Sequence, residues 1–217
     1  MKYFAVIVFL SFSIMSHGQP SFNPVLKKQL DSVKALDQKY REALMLLMQP
    51  QQRDSVARSI GKTVFEANQY YWDLQNRIDS SNLVFIEEVI KNYGYPGKSL
   101  VDTPANETVW FVLQHSPKIH QYIEVIKKAA ENNELPFYLY AKMLDRDLMD
   151  QGKEQLYGTQ GTCRRLKNIA DNCIIWPIKD PELVNERRKK AGFKDTVEEN
   201  AKRLGIAYKV YRLSDVQ

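Results

Sequence analysis

Three short polar segments interrupt otherwise apolar, helix-forming sequence: Gln114-His115, Asp145-Arg146 and Gln155-Leu156-Tyr157-Gly158-Thr159-Gln160. A helix does not need such residues in order to form, so the segments read as the parts of one site. His115 falls at a helix end, before Ser116-Pro117, where carbonyls without intrahelical partners favour an imidazolium. Histidine exchanges a proton near neutral pH, so His115 is the candidate general base. Asp79 or Asp145 would orient it, and Arg146 would hold an anionic group of a ligand. On a strand, Tyr157 and Thr159 would share one face and Gln160 would take the other. Phenol, hydroxyl and amide would then hydrogen-bond a ligand, and Gly158 would let the backbone approach closely.

Each of these residues also has a structural reading. His115 would cap its own helix or bond a buried carbonyl. Asp145 and Arg146 are adjacent, so on a helix they point in different directions and cannot simply pair with each other. One of them would reach inward and tie the segment after Gly152 to the helices through a buried Arg–carboxylate bond.

The remaining chemistry is narrowed by absences in the sequence. There is no Gly-x-Ser-x-Gly, and Gly94-Tyr95-Pro96-Gly97-Lys98-Ser99 lacks the spacing and preceding strand of a phosphate-cradling loop. His115 and His120 are five residues apart with Ser-Pro between them, which does not put two ligands on one helix face. No metal site and no cofactor are read from the sequence.

The elements that must position these residues are mostly helical. Leu26, Leu30, Val33, Leu36, Tyr40, Leu44 and Leu47 recur at helical spacing over residues 25–48, with Pro50 as the stop. A second helix is expected from an Asp54 cap through Val56, Ile60, Val64 and Ala67 towards Leu74, so that the two form an antiparallel hairpin. Phe65, Tyr70, Tyr71 and Trp72 are read as core packing. Asp79-Ser80-Ser81-Asn82 reads as a break, and the next helix ends at Gly94, with Pro96 beyond it. Thr103-Pro104, Ser116-Pro117 and Pro136 each read as helix starts, and Gly152 marks an exit. Residues 155–160 and 172–178 are short, β-prone stretches around a basic loop, expected to form one small β-hairpin. Asp180-Pro181-Glu182 starts another helix that ends at Gly192, and Asp195 with Glu198 reads as a capping box for the last one. The basic run Arg187-Arg188-Lys189-Lys190 reads as a helix C-terminal turn.

The chain has 217 residues, with 31 Lys and Arg against 26 Asp and Glu. Its positive charge is mild and interspersed, with no basic stripe of interleaved aromatics, so nucleic acid is not an expected partner. Lys2, the apolar run 3–15 and Ser16-His17-Gly18 have the form of a secretory signal. Cleavage is expected after Gly18. The run is short for a membrane span, no later segment is apolar enough to make one, and the mature chain is expected to be periplasmic or secreted. Cys163 and Cys173, an even pair at close range, point to a disulfide in that setting; two free thiols or a metal pair are the alternatives. The expected organisation is a signal peptide (1–18), an N-terminal helical hairpin extension (19–78) and a helical domain with the β-hairpin near residues 155–178 (79–217). The fold class is mainly α.

Asp79-x-x-Asn82, Gly94-Tyr95-Pro96-Gly97, Trp110-Phe111-Val112-Leu113-Gln114-His115 and Leu144-Asp145-Arg146 occur in that order. Gln155-x-Tyr157-Gly158-Thr159-Gln160, Pro177-Ile178-x-Asp180-Pro181, Val184-Asn185-x-Arg187-Arg188 and Gly192 follow. In order and spacing this resembles an uncharacterised bacterial family, a domain of unknown function, over residues 79–204. The resemblance implies a mostly helical fold and a shared site, and no activity. It departs after His115, where members carry Ala and Asp and this chain has Ser116-Pro117.

Two functions follow as expectations. The first is a binding module for a small molecule or a protein, with Asp79, Asn82, Gln114, His115, Arg146, Tyr157, Thr159 and Gln160 around one polar pocket. The second is a metal-independent hydrolase or transferase that uses His115 as base. A third possibility is that the motif set is a network that stabilises the fold.

Overall fold

The computed structural model describes residues 22–163 and 173–216. The expected signal segment and the expected basic loop between the cysteines lie outside these residues. The expected class holds: the protein is mainly helical with one small two-stranded antiparallel sheet.

Helix α1 (Pro24–Gln38) starts as its sequence dictates: Asn23 Oδ1 accepts the Leu26 N–H at 3.0 Å, and Pro24 takes the first position. The expected continuous helix to residue 48 is instead broken after Gln38, and α2 (Arg41–Leu47) begins anew. Buried Gln75 explains the break. Its Oε1 accepts the Tyr40 N–H at 3.3 Å and its Nε2 donates to the Asp37 carbonyl at 3.0 Å. A side chain thereby takes up backbone groups that a continuous helix would pair internally.

The second expected helix also divides. α3 (Arg53–Ser59) ends before Gly61, and a capping box of Thr63 and Glu66 starts α4 (Val64–Tyr93). The break expected at residues 79–82 is absent, and α4 runs through it for 30 residues. The side chains that could compete with the helix backbone there are otherwise engaged. Ser80 Oγ bonds the Asn76 carbonyl at 2.8 Å, Asp79 is held by Arg41 and Gln75, and buried Asn82 donates to the Val33 carbonyl at 3.5 Å. Phe65, Tyr70 and Trp72, expected in the core, are exposed, and only Tyr71 packs against an apolar cluster.

After Gly94 come α5 (Lys98–Val101), a 3-10 turn (Ala105–Glu107) and α6 (Thr108–Gln114). Thr103-Pro104 therefore does not start an α-helix. Buried Asn106 fixes the 3-10 turn instead. Its N–H donates to the Asp102 carbonyl at 3.0 Å, its Nδ2 to the Glu134 carbonyl at 2.8 Å, and its carbonyl accepts the Tyr95 hydroxyl at 2.5 Å. Ser116 links α6 to α7 (Ile119–Glu131): its Oγ donates to the Leu113 carbonyl at 2.9 Å and accepts the Lys118 N–H at 3.2 Å. α8 (Phe137–Asp150) follows Pro136 directly, as expected. Leu26, Leu30 and Val33 of α1 share one core with Ile86, Val89, Leu113, Ile126, Leu139 and Met143 from α4, α6, α7 and α8.

The sheet is shorter than the expected hairpin. β1 (Gly161–Thr162) pairs with β2 (Ile174–Ile175) in the register Gly161↔Ile175 and Thr162↔Ile174. Residues 155–160 form a loop, joined to the strand side by a Gln155↔Ile178 bridge and by the Trp176 N–H, which donates to the Gln160 carbonyl at 3.0 Å. Cys163 and Cys173 form a disulfide. A 3-10 turn (Pro181–Leu183) leads into α9 (Val184–Lys190), with no capping bond from Asp180. The last capping box lies one residue later than expected: Thr196 with Glu199 starts α10 (Val197–Arg203), because Asp195 is engaged by Arg188. α11 (Leu213–Val216) lies near the end. Ile175, Ile178, Val184, Val197, Ala201 and Ile206 make a second, smaller core. No helix among the described residues is long and apolar enough to cross a membrane.

Candidate functional site

The polar motif residues form two separate constellations. The first is built around the 155–160 loop. Asp145, fully buried on α8, aims its carboxylate at the loop backbone. Oδ1 accepts the N–H groups of Leu156 at 2.8 Å and Tyr157 at 3.0 Å, and Oδ2 accepts that of Thr159 at 2.9 Å. Burial pushes the Asp145 carboxyl above the usual carboxylate range, and these N–H groups pull against that rise. Gln155, also fully buried, is saturated: Nε2 donates to the Gln160 carbonyl at 2.9 Å and the Trp176 carbonyl at 2.7 Å, while Oε1 accepts the Gln160 N–H at 2.9 Å.

Two arginines close the loop from the other side. Arg187 Nε donates to the Leu156 carbonyl at 2.9 Å, and its Nη2 reaches the carbonyls of Lys179 and Asp180. Arg188, 1% exposed, donates from Nη1 to the Tyr157 carbonyl at 2.8 Å, from Nε to the Asp195 carbonyl at 2.9 Å, and from Nη2 to the Asp195 carboxylate. The basic run at the end of α9 is thus half architecture. The buried Arg–carboxylate tie expected from Asp145 and Arg146 is replaced by a carboxylate that binds the loop backbone and the Thr159 side chain. Gly158 shows why this loop admits no side chain at that point. Its φ is +66°, and an added Cβ would lie 2.5 Å from Val197 Cγ2 and 2.8 Å from Ile178 Cδ1.

The candidate ligand groups of this loop, Tyr157, Thr159 and Gln160, are half-buried. The Tyr157 ring lies 5.9 Å from that of Phe193, and Gln160 Nε2 bonds Thr159 Oγ1 at 3.0 Å. Arg146 is half-buried and has no hydrogen bond or ion pair among the described residues.

The second constellation is at the end of α6. His115 is its C-cap residue. Its Nδ1 lies 3.4 Å from Oδ1 of Asp37, whose side chain is 1% exposed. Asp37 also accepts from Gln38 Nε2 at 2.6 Å and faces Arg41 Nε at 3.5 Å. Arg41 Nη2 continues to Asp79 Oδ1 at 2.7 Å, and Gln75 Nε2 reaches the same oxygen at 2.7 Å. His115 and Asp79 both line a surface cleft of about 240 Å³, together with Ser80, Leu83, Ser116 and Pro117. His115 Nε2 has no protein partner among the described residues. Gln114 beside it is half-buried, and its side chain makes no hydrogen bond among those residues. Asn82, one turn from Asp79, is turned into the α1 contact.

His115 and Asp79 are therefore brought to one cleft, whereas Asp145, Tyr157, Thr159 and Gln160 belong to the other constellation. The carboxylate beside His115 is that of Asp37, a residue that sequence reasoning passed over. A signal was present. Asp37 continues the 26, 30, 33 stripe of α1, and Gln75 and Asn82 lie on the 86, 89 stripe of α4. A polar residue on a buried stripe needs a partner. Among the described residues, no group of three or more His, Cys, Asp or Glu side chains is placed to hold a metal ion.

Fold and site together define a mainly helical domain with a pinned polar loop and a separate histidine cleft. The chain belongs to DUF6624, a family of unknown function, whose match covers residues 58–212. No curated protein and no solved structure matches it. The match takes in His115, Asp79 and the whole loop constellation, while Asp37 and Arg41 lie before it.

Proposed function

We propose that the protein is an exported binding module for a small ligand, and that the ligand enters the cleft at His115. The observation that carries this reading is the pairing of an open cleft with a histidine whose Nδ1 faces a buried carboxylate. That contact orients the ring and leaves Nε2 for a ligand. Asp79, tethered by Arg41 and Gln75, offers a fixed acceptor on the same wall. Export rests on the form of residues 1–18 and on the disulfide, which fits an extracellular or periplasmic protein. The test is a thermal-shift screen of small anions, sugars and cell-wall fragments against the wild type and His115→Ala. A ligand that stabilises the wild type and not the variant supports the reading. If every hit stabilises both equally, the cleft is not the binding site.

A second reading is a hydrolase or transferase with His115 as general base and Asp37 as its orienting residue, an arrangement of base and orienter that catalytic sites share. Turnover of activated esters by the wild type, abolished in His115→Ala, would favour it over binding alone. Wild-type turnover equal to that of the variant would remove it.

A further inference from the structure

A larger cleft, of about 370 Å³, opens between α8, the α9–α10 turn and α10. Its walls include Tyr138 and Lys142 from α8, Phe193, Lys194 and Asp195 from the turn, and Arg203 from α10. Arg188 forms part of its floor; it is 1% exposed and turns all three nitrogens to Tyr157 and Asp195, so it supplies charge rather than donors. Its guanidinium also lies 4.3 Å from the centre of the Phe193 ring and holds that ring in place. Asp195 is the one carboxylate in this lining, and it already accepts from Arg188.

Three cations are left with donors to offer. The ammonium groups of Lys142 and Lys194 have no ion pair or hydrogen bond among the described residues. Arg203 uses one Nη2 contact, to Asn200 Oδ1, and keeps the rest of its fork. Lys142 is held over the Tyr138 ring, with Nζ 5.3 Å from its centre. Burial, and then the Arg203 and Arg188 charges, push its ammonium below the usual lysine range. Uncompensated positive charge gathered in a concave, partly aromatic space is the electrostatic complement of an anion.

We infer that this cleft binds a small phosphomonoester, its phosphoryl oxygens accepting from Lys142, Lys194 and Arg203 and its organic group lying against Tyr138 and Phe193. A phosphomonoester carries close to two negative charges at neutral pH and has three strong acceptor oxygens. That matches donors arriving from three separate elements. A carboxylate is a poorer match, since it brings one negative charge and two acceptor oxygens to three cationic side chains. The site is independent of the His115 cleft, so either proposal can fail alone.

The test is calorimetric titration of the disulfide-bonded chain at constant ionic strength with phenyl phosphate, inorganic phosphate and benzoate. Phenyl phosphate should bind about tenfold more tightly than either of the others, a gap of about 1.4 kcal/mol. Arg203→Gln, on an exposed helix end, and Lys142→Gln should each weaken it about tenfold, the scale expected for losing one charge-assisted bond, with no loss of melting temperature. His115→Ala should bind as the wild type does. Equal binding of benzoate, or full affinity in Arg203→Gln, overturns the proposal. So does binding confined to phosphodiester probes, whether phosphatidylglycerol vesicles or a single-stranded oligonucleotide.

Discussion

The loop at residues 155–160 and the cleft at His115 are built from the same kinds of residue and come out opposite. In the loop, buried Asp145 and Gln155 meet well-placed donors and acceptors at 2.7–3.0 Å. Asp145 and Gln155 spend their polar atoms inside the fold. At the cleft, Asp37 meets His115 at 3.4 Å and Arg41 at 3.5 Å, Arg41 Nε lacks a hydrogen-bond partner, and the space stays open. A saturated polar network rigidifies the fold, whereas one with unspent donors and acceptors retains the capacity to bind. The difference lies in satisfaction, not in residue type.

The comparison breaks most sharply at Asp145. Asp145→Ala leaves the N–H groups of Leu156, Tyr157 and Thr159 without their acceptor in a buried site. The expected loss is about 3–5 kcal/mol in denaturant unfolding. A loss below about 1 kcal/mol would mean that Gln155, Arg187 and Arg188 hold the loop without it. Gly158→Ala comes next, at about 2–3 kcal/mol, since it combines a positive φ with a Cβ 2.5 Å from Val197. Val197→Ala in the same background should recover part of that loss by removing the clash. If Val197→Ala costs as much in this background as in the wild type, the Gly158→Ala loss lies in the backbone and the Ile178 contact.

Much of the frame was legible in the sequence. The start of α8 after Pro136, the end of α4 at Gly94 and the disulfide all follow from local rules that act within a few residues. What was not legible depended on distant partners. Gln75 interrupts the α1–α2 run from 35 residues away, at Tyr40, and Arg41 and Val33 take up the polar groups that looked like a break in α4. The site divided for the same reason. Sequence spacing placed His115 and Tyr157 among equally polar neighbours, but only the packing of α1 against α4 and α6 brings Asp37 to His115. Arg187 and Arg188 looked like a solvated helix end because helical position alone does not reveal a loop carbonyl within reach.

The basic cleft gives a smaller effect with two opposite signs. Lys142 titrates below the usual lysine range because burial disfavours its charge. Its ammonium therefore costs the unliganded fold stability below that lowered value. The cost is relieved as pH rises through it towards the ordinary value of 10.5. Anion affinity should run the other way and fall over the same interval, since the neutral amine no longer attracts a phosphoryl group. Parallel titrations of melting temperature and phenyl phosphate affinity, with Lys142→Gln as the control, read both trends. If the two rise or fall together, Lys142 is not the group that senses the anion.

The smallest expected effect on stability is at His115. Asp37 keeps Gln38 and Arg41 when the imidazole is removed, and a long contact at a half-open edge contributes little to folding. His115→Ala should therefore cost about 1 kcal/mol or less, against several for Asp145→Ala. The ligand response assigned to the cleft should nevertheless vanish. That combination, near-native stability with lost binding, separates a site with chemistry to offer from one whose polar groups are already paired. If His115→Ala destabilises the chain as much as Asp145→Ala does, the two regions are alike, both are architecture, and the basic cleft between α8 and α10 becomes the place to look for function.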